Sequence, residues 1–361
     1  MMNIKEKDIT ILVSGRIEKE TPLVLQQVRK LFPQSKIILS TWVNSDVSSL
    51  DYDLLIECED PGAKIFNIPI SYDITYNDGF TPKYNNVNRI IKTIQNGLKN
   101  VETKYCLRLR TDLVLKSKNF LNYWDKFPLR DDKFKLFKHR IINNSTYAQF
   151  AHVMKDGVQL LPFHMSDWIH FGLTSDLKLL WSCLFQDLYA SSEYWKDKTR
   201  RNYDPYRDAG WQYPPETYVL FSLVKKNFPN IKFEDSDDYN SENMSFSNKI
   251  IVNNFIMIDD CDFEYTLKKY PSLKNWNSEL YNGFITYREW QNLYKVYCDK
   301  TYNFLDIDFK RVPYLLKHYL SPMYLLKYPH RYFRSVFDFV YVFNSHELRK
   351  RFYIGESKCV K

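Results

Sequence analysis

Short apolar runs alternate with amphipathic stretches through the first third of the chain, and this alternation restricts the fold more than any other feature. Asp8-Ile-Thr-Ile-Leu-Val13 reads as a buried strand. Lys36-Ile-Ile-Leu-Ser-Thr-Trp42, Asp53-Leu-Leu-Ile-Glu57 and Tyr105-Cys-Leu-Arg-Leu-Arg110 repeat the pattern. After the first run, Thr21-Pro22 supplies a capping hydroxyl and a proline suited to a first helical turn, and Leu23, Leu25, Val28 and Leu31 follow before Phe32-Pro33 ends the segment. Before the fourth run, Val87, Ile90, Ile91, Ile94 and Leu98 share one face of a helix predicted from Asn86 to Asn100. Strands of this length separated by helices predict an α/β fold, a mostly parallel sheet of Rossmann type flanked by helices.

Beyond residue 115 the pattern loosens. Strand-like pieces are expected within 131–165 and at 249–258, helices from Asp176 to Leu188 and after Pro214-Pro215, and loops over 191–213 and over the acidic, Asn/Ser-rich stretch 234–248. The segment 264–305 is aromatic and amphipathic. We expect one domain over 1–305, divided near residue 118, and a separate extension over 306–361.

That extension stands apart by charge. Between Lys310 and Lys361 lie eleven Lys or Arg and three acids, which accounts for the whole net charge of +8. A neutral body excludes the basic groove of a nucleic-acid enzyme. Phe333, Val336, Phe337, Val340 and Phe343 fall on one helical face, and Arg349-Lys350-Arg351 follows. Such a segment suits either an amphipathic helix on an anionic membrane or a helical subdomain with a solvated basic face. No apolar run reaches the 18 or so residues of a transmembrane helix, and the opening apolar run is too short for a signal peptide. Six cysteines without CxxC spacing fit a reducing compartment. Together these features predict a cytoplasmic protein, peripheral to an anionic membrane.

In a parallel sheet, ligands bind beyond the carboxyl ends of the strands. Three polar clusters fall there: Ser14-Gly15-Arg16, Ser40-Thr41-Trp42 and Arg110-Thr111-Asp112. Neither GxGxxG nor GxxxxGK[ST] occurs, which argues against a dinucleotide oxidoreductase and a P-loop NTPase. A carboxylate such as Asp112 at a strand end can hold a divalent cation against a diphosphate, and Arg108 and Arg110, two residues apart on one strand face, can neutralise phosphate. The alternative is a structural Arg110–Asp112 ion pair.

The string Lys104-Tyr-Cys-Leu-Arg-Leu-Arg110-Thr-Asp112-Leu resembles the signature of the WavE family, glycosyltransferases of lipopolysaccharide and capsule synthesis. Ser14-Gly15-Arg16, Phe32-Pro33, Ile38-Leu-Ser-Thr-Trp42, Leu50-Asp-Tyr-Asp53, Asp60-Pro61-Gly62, Asn88-Arg89, Ser166-Asp167-Trp168, Pro215-Glu216 and Asn253-Asn254-Phe255 match in order. The resemblance covers residues 8–300. It implies a GT-A-like fold over 1–305, with a nucleotide-binding half to about 118 and an acceptor half from 119, a nucleotide-sugar donor, and a saccharide or lipid-linked saccharide acceptor. It also implies an Asp-x-Asp site for Mn²⁺ or Mg²⁺, but here Arg110-Thr111-Asp112 replaces one carboxylate with a guanidinium.

Glycosyl transfer separates a cationic sugar from an anionic diphosphate, so the site needs positive charge or a metal at the leaving group. Gly15, Arg16, Thr41, Asp60, Arg89, Arg110 and Asp112 are the candidate donor-binding residues, with Asp112 the candidate metal ligand. An inverting reaction also needs a carboxylate base, for which Glu216 and Asp167 are the candidates. Each has a structural alternative, a first-turn helix acid for Glu216 and a cap or turn for Asp167. Asp51, Asp53 and Asp60 flank the third strand, where a nucleotide base would sit. Trp42 and Trp168 offer stacking faces, and His164 and His170 lie near Asp167 as possible metal ligands. Competing functions are a nucleotidyltransferase acting on a sugar phosphate and a non-catalytic saccharide-binding scaffold.

Overall fold

β1 (Ile9–Ser14), α1 (Thr21–Leu31), β2 (Lys36–Trp42) and β3 (Leu54–Cys58) form where the apolar runs predict them. β1 is buried at every position, as a strand covered on both faces must be. β4 (Lys64–Ile65) pairs antiparallel with β5 (Tyr84–Asn85), and α2 (Val87–Lys99) follows. β6 (Tyr105–Arg110) and β7 (Leu113–Leu115) complete the first half. The computed structural model describes residues 4–65, 84–154, 157–196, 198, 211–269 and 283–303. The basic extension lies outside the described residues.

The second half contributes β8 (Ile141–Asn144), β9 (Ala151–Met154), β10 (Gly157–Leu160), β11 (Ile169–Leu173), α3 (Thr174–Leu180), α4 (Leu188–Glu193), α5 (Pro215–Asn227), α6 (Ser241–Asn254), β12 (Phe255–Ile258), α7 (Asp260–Phe263), β13 (Tyr265–Leu267) and α8 (Tyr287–Tyr297). Of its strands, β8, β11 and β12 extend the sheet of the first half, and β9 pairs with β10 apart from it. The seven-stranded order is β12-β8-β11-β6-β1-β2-β3. All neighbours run parallel except β11, which is antiparallel to both β6 and β8. The expected mostly parallel α/β sheet is therefore present.

α2 crosses β1, β2 and β3. It lies so close that a Cβ on Gly97 would stand 2.3 Å from Leu12 Cδ1. α3 covers β11 and β6, and α5 packs on α3. β13 runs back along β7, pairing Leu267 with Leu113 and Tyr265 with Leu115.

Four local expectations need correction. Residues 249–258 are not one strand: the apolar Ile250-Ile-Val252 closes α6, and only Phe255–Ile258 is extended. α6 also begins inside the stretch expected as a loop, capped by Asn240, whose side chain accepts from Asn243 N. The helix expected to reach Leu188 stops at Leu180, and α4 starts anew with Asp187 accepting from Tyr189 N and Ala190 N. α4 thus enters the start of the stretch 191–213 that was expected to be all loop.

Candidate functional site

β1 is flanked by β2 on one side and β6 on the other, so the strand order reverses between β1 and β6. In an open α/β sheet that reversal leaves a crevice at the carboxyl edge. Two predicted clusters face each other there. Ser14 pairs in register with Arg110, and the chain beyond each strand is joined by Thr111 Oγ1, which donates to the Arg16 carbonyl at 2.6 Å. Gly15 takes φ +134°, a conformation that L side chains rarely adopt, and a Cβ there would meet Thr111 Oγ1 at 3.1 Å. The close approach of the two segments therefore requires the glycine.

Asp112 lies beside this contact, nearly buried. Its two carboxylate oxygens accept from Arg110 Nε and a terminal nitrogen, each at 2.8 Å. Burial alone would raise the Asp112 carboxyl, but the Arg110 guanidinium outweighs it and holds the group below the ordinary aspartate range. The ion-pair alternative is thus realised. Arg110 also lies 5.8 Å from the centroid of the Trp168 ring. That ring is buried against Tyr147, so it is a wall and not an open stacking platform. Arg16 is exposed and pairs with Glu18 at 2.8 Å.

Asp167 reaches the same edge through Arg108. The Arg108 guanidinium is buried under the sheet edge, where Nε donates to Ser14 Oγ at 3.1 Å and a terminal nitrogen donates to the Asp167 carbonyl. His170, its register partner on β11, is fully buried, and burial together with the Arg108 charge pushes its imidazole well below the ordinary value. His164 is buried as well.

The remaining candidates are distributed differently. Asp60 and Arg89 meet in a bidentate pair, at 2.8 and 2.6 Å, where the chain leaves β3 and α2 begins. The Arg89 hydrogen bond lowers the Asp60 carboxyl, and Asp60 also accepts from Gly62 N at 2.9 Å. Arg89 is therefore a partner of Asp60, not a lone solvated charge. Asp51 and Asp53 precede β3, at the opposite edge of the sheet, where Arg29 clamps both. That position corrects their proposed place beside a nucleotide base. Thr41 is buried, its hydroxyl 3.4 Å from Ser45 Oγ, and Trp42 is half-buried at the end of β2. Glu216 stands in the first turn of α5, half-buried.

One feature of the edge had no signal in the sequence. The return of β13 along β7 brings Lys268 to Glu20, at 3.5 Å, and sets the positive charge of Lys269 near Asp112. Only the pairing of two three-residue strands puts them there.

A family description of WavE lipopolysaccharide synthesis matches residues 13–319, most of the chain and all of this edge. The chain belongs to the WavE lipopolysaccharide synthesis family. A comparison with curated proteins finds no match. Family membership places the protein in lipopolysaccharide synthesis and agrees with a biosynthetic enzyme. Among the described residues, no helix is long and apolar enough to cross a membrane.

At Asp112, where the metal was expected, both carboxylate oxygens accept from the Arg110 guanidinium, so the strand end carries a carboxylate already paired with a cationic side chain. Among the described residues, a different group could hold a cation: Asp259, Cys261 and Asp262, whose ligand atoms lie within 4.8 Å of one another at the start of α7. That group is partly exposed and stands near Tyr123.

Proposed function

We propose that this WavE protein is a glycosyltransferase of GT-A type that transfers a sugar from a nucleotide-sugar donor to a lipid-linked saccharide in lipopolysaccharide or capsule synthesis. The observation that carries this reading is the carboxyl edge at which the strand order reverses between β1 and β6, where such sheets form a crevice. It combines a glycine that opens close backbone approach with the cationic side chains of Arg108, Arg110 and Lys269, directly at the switch point of a mostly parallel sheet. An anion such as the donor diphosphate suits it, and the negative charge that grows on the leaving group is stabilised most by preorganised cations.

In this reading Arg110 faces the diphosphate. Asp112 engages two of the five N–H groups of its guanidinium and fixes its plane. Gly15 and Arg16 offer main chain beside the phosphates, and Asp60 with Arg89 bounds the nucleoside end. Asp167 takes the proton from the acceptor hydroxyl, since its peptide is tied to the same edge, with Glu216 on α5 the second candidate. No step is assigned to a metal. The basic extension holds the protein to the anionic cytoplasmic face of the inner membrane, where lipid-linked acceptors reside.

The test is release of nucleoside diphosphate from a panel of nucleotide sugars, with a lipid-linked saccharide as acceptor. Acceptor-dependent release from one donor is expected. Absence of release and of binding across the panel would overturn the reading, and release of pyrophosphate from a nucleoside triphosphate plus a sugar phosphate would mark a nucleotidyltransferase.

A further inference from the structure

We propose that Arg108 is a positioning residue that makes the crevice selective for a diphosphate, acting from beneath its floor. This rests on the donor-site reading above. The side chain is 3% exposed. Its two hydrogen-bond acceptors are neutral, the Ser14 hydroxyl and the Asp167 carbonyl. The Trp181 ring, with a centroid 5.6 Å away, and His170, its register partner on β11, lie beside it. Among the described residues it forms no ion pair. The carboxylates of Asp167 and Asp112 attract it from a distance, and Arg110 opposes them.

Burying a guanidinium without a paired carboxylate is unfavourable, and an apolar side chain would fill the layer under α3 more cheaply. The two acceptors explain what the charge does there. Ser14 immediately precedes Gly15, and Asp167 lies in the segment leading to β11. One side chain thus ties together the two stretches that bound the crevice. It also sets a weakly screened positive charge below the point where they meet. The Asp167 and Asp112 carboxylates offset this charge only in part against its burial, and an anion seated above it completes the balance; the diphosphate is the anionic part of the proposed donor.

Titration calorimetry on the full chain tests this with three probes: inorganic pyrophosphate, a panel of nucleoside diphosphates, and the matching nucleosides. The wild type is expected to bind diphosphate well above nucleoside. Arg108→Gln is expected to lose diphosphate affinity by on the order of tenfold, with nucleoside affinity nearly unchanged, as removal of one nearby unit charge implies. Arg108→Lys retains the charge and should retain most of the preference. If Arg108→Gln does not fold, Ser14→Asp sets a carboxylate against the same guanidinium and should produce the same selective loss. An unchanged preference in these variants, or equal loss of nucleoside and diphosphate, overturns the role of Arg108 while leaving the donor site standing. A wild type that does not prefer diphosphate overturns both.

Discussion

Replacing Asp112 with Asn probes the pair on which the crevice is built. Two hydrogen bonds of 2.8 Å join Arg110 to Asp112, and the side chains are 24% and 12% exposed. Fully exposed pairs contribute roughly 0–1 kcal/mol, whereas breaking a buried pair costs roughly 3–5 kcal/mol. This pair lies between those cases, and Asn keeps one acceptor, so a loss of about 2 kcal/mol is expected at neutral pH. The pH dependence follows from the depressed Asp112 carboxyl. The folded chain binds that proton less readily than the unfolded chain, so the stabilisation is complete above the ordinary aspartate value, near 3.8, and fades as the pH falls through the lower, folded value. Urea midpoints of wild type and Asp112→Asn should therefore differ by a constant amount from pH 7 to about pH 5 and converge below about pH 4. Equal stabilities at pH 7, or a gap that stays constant into the acid range, would refute the reasoning.

Arg110→Asp creates an Asp-x-Asp sequence at the crevice and removes the guanidinium that occupies Asp112. Donor binding in this variant is expected to depend on Mn²⁺ or Mg²⁺, while wild-type binding changes little with chelator; titration calorimetry with and without the cation decides. Asp167→Asn should lower turnover by at least about a hundredfold with KM nearly unchanged, and Glu216→Gln should cost less; steady-state kinetics on the same donor compares them. Gly15→Ala adds a Cβ 3.1 Å from Thr111 Oγ1 at φ +134°. It should weaken nucleoside diphosphate binding more than it lowers the melting temperature. Asn254→Ala removes a buried amide that accepts from Leu136 N at 2.7 Å and donates to Phe134 O at 2.8 Å. A loss of about 2–3 kcal/mol in urea unfolding is expected with donor binding intact.

The first half of the fold was legible because each element there carries a pattern of its own period. β1, β2 and β6 are apolar runs of strand length, and α2 has a clear stripe with period 3.6. The stretch 249–258 misled because a short apolar run does not distinguish a helix end from a strand. What divides it is Asn254, whose amide also bonds Ile250 O within the last helical turn. The reversal of β11 left no mark, since strand direction does not alter burial alternation. At the site, the polar clusters at the strand ends were readable: Gly15 approaches Thr111, and Arg110 pairs with Asp112. Pairings across 22 to 29 residues leave no local pattern, so the bonds of Arg29 to Asp51 and of Arg89 to Asp60 were not legible. Lys269 was hidden for the same reason, because its position depends on β13 finding β7.

The most direct test of the central claim is a crystal structure of the full chain with a nucleoside diphosphate. The diphosphate is expected between the carboxyl ends of β1 and β6, within hydrogen-bond distance of Arg110 and the main chain of Gly15 or Arg16. A diphosphate seated elsewhere, with the Arg110–Asp112 crevice left to water, would contradict it.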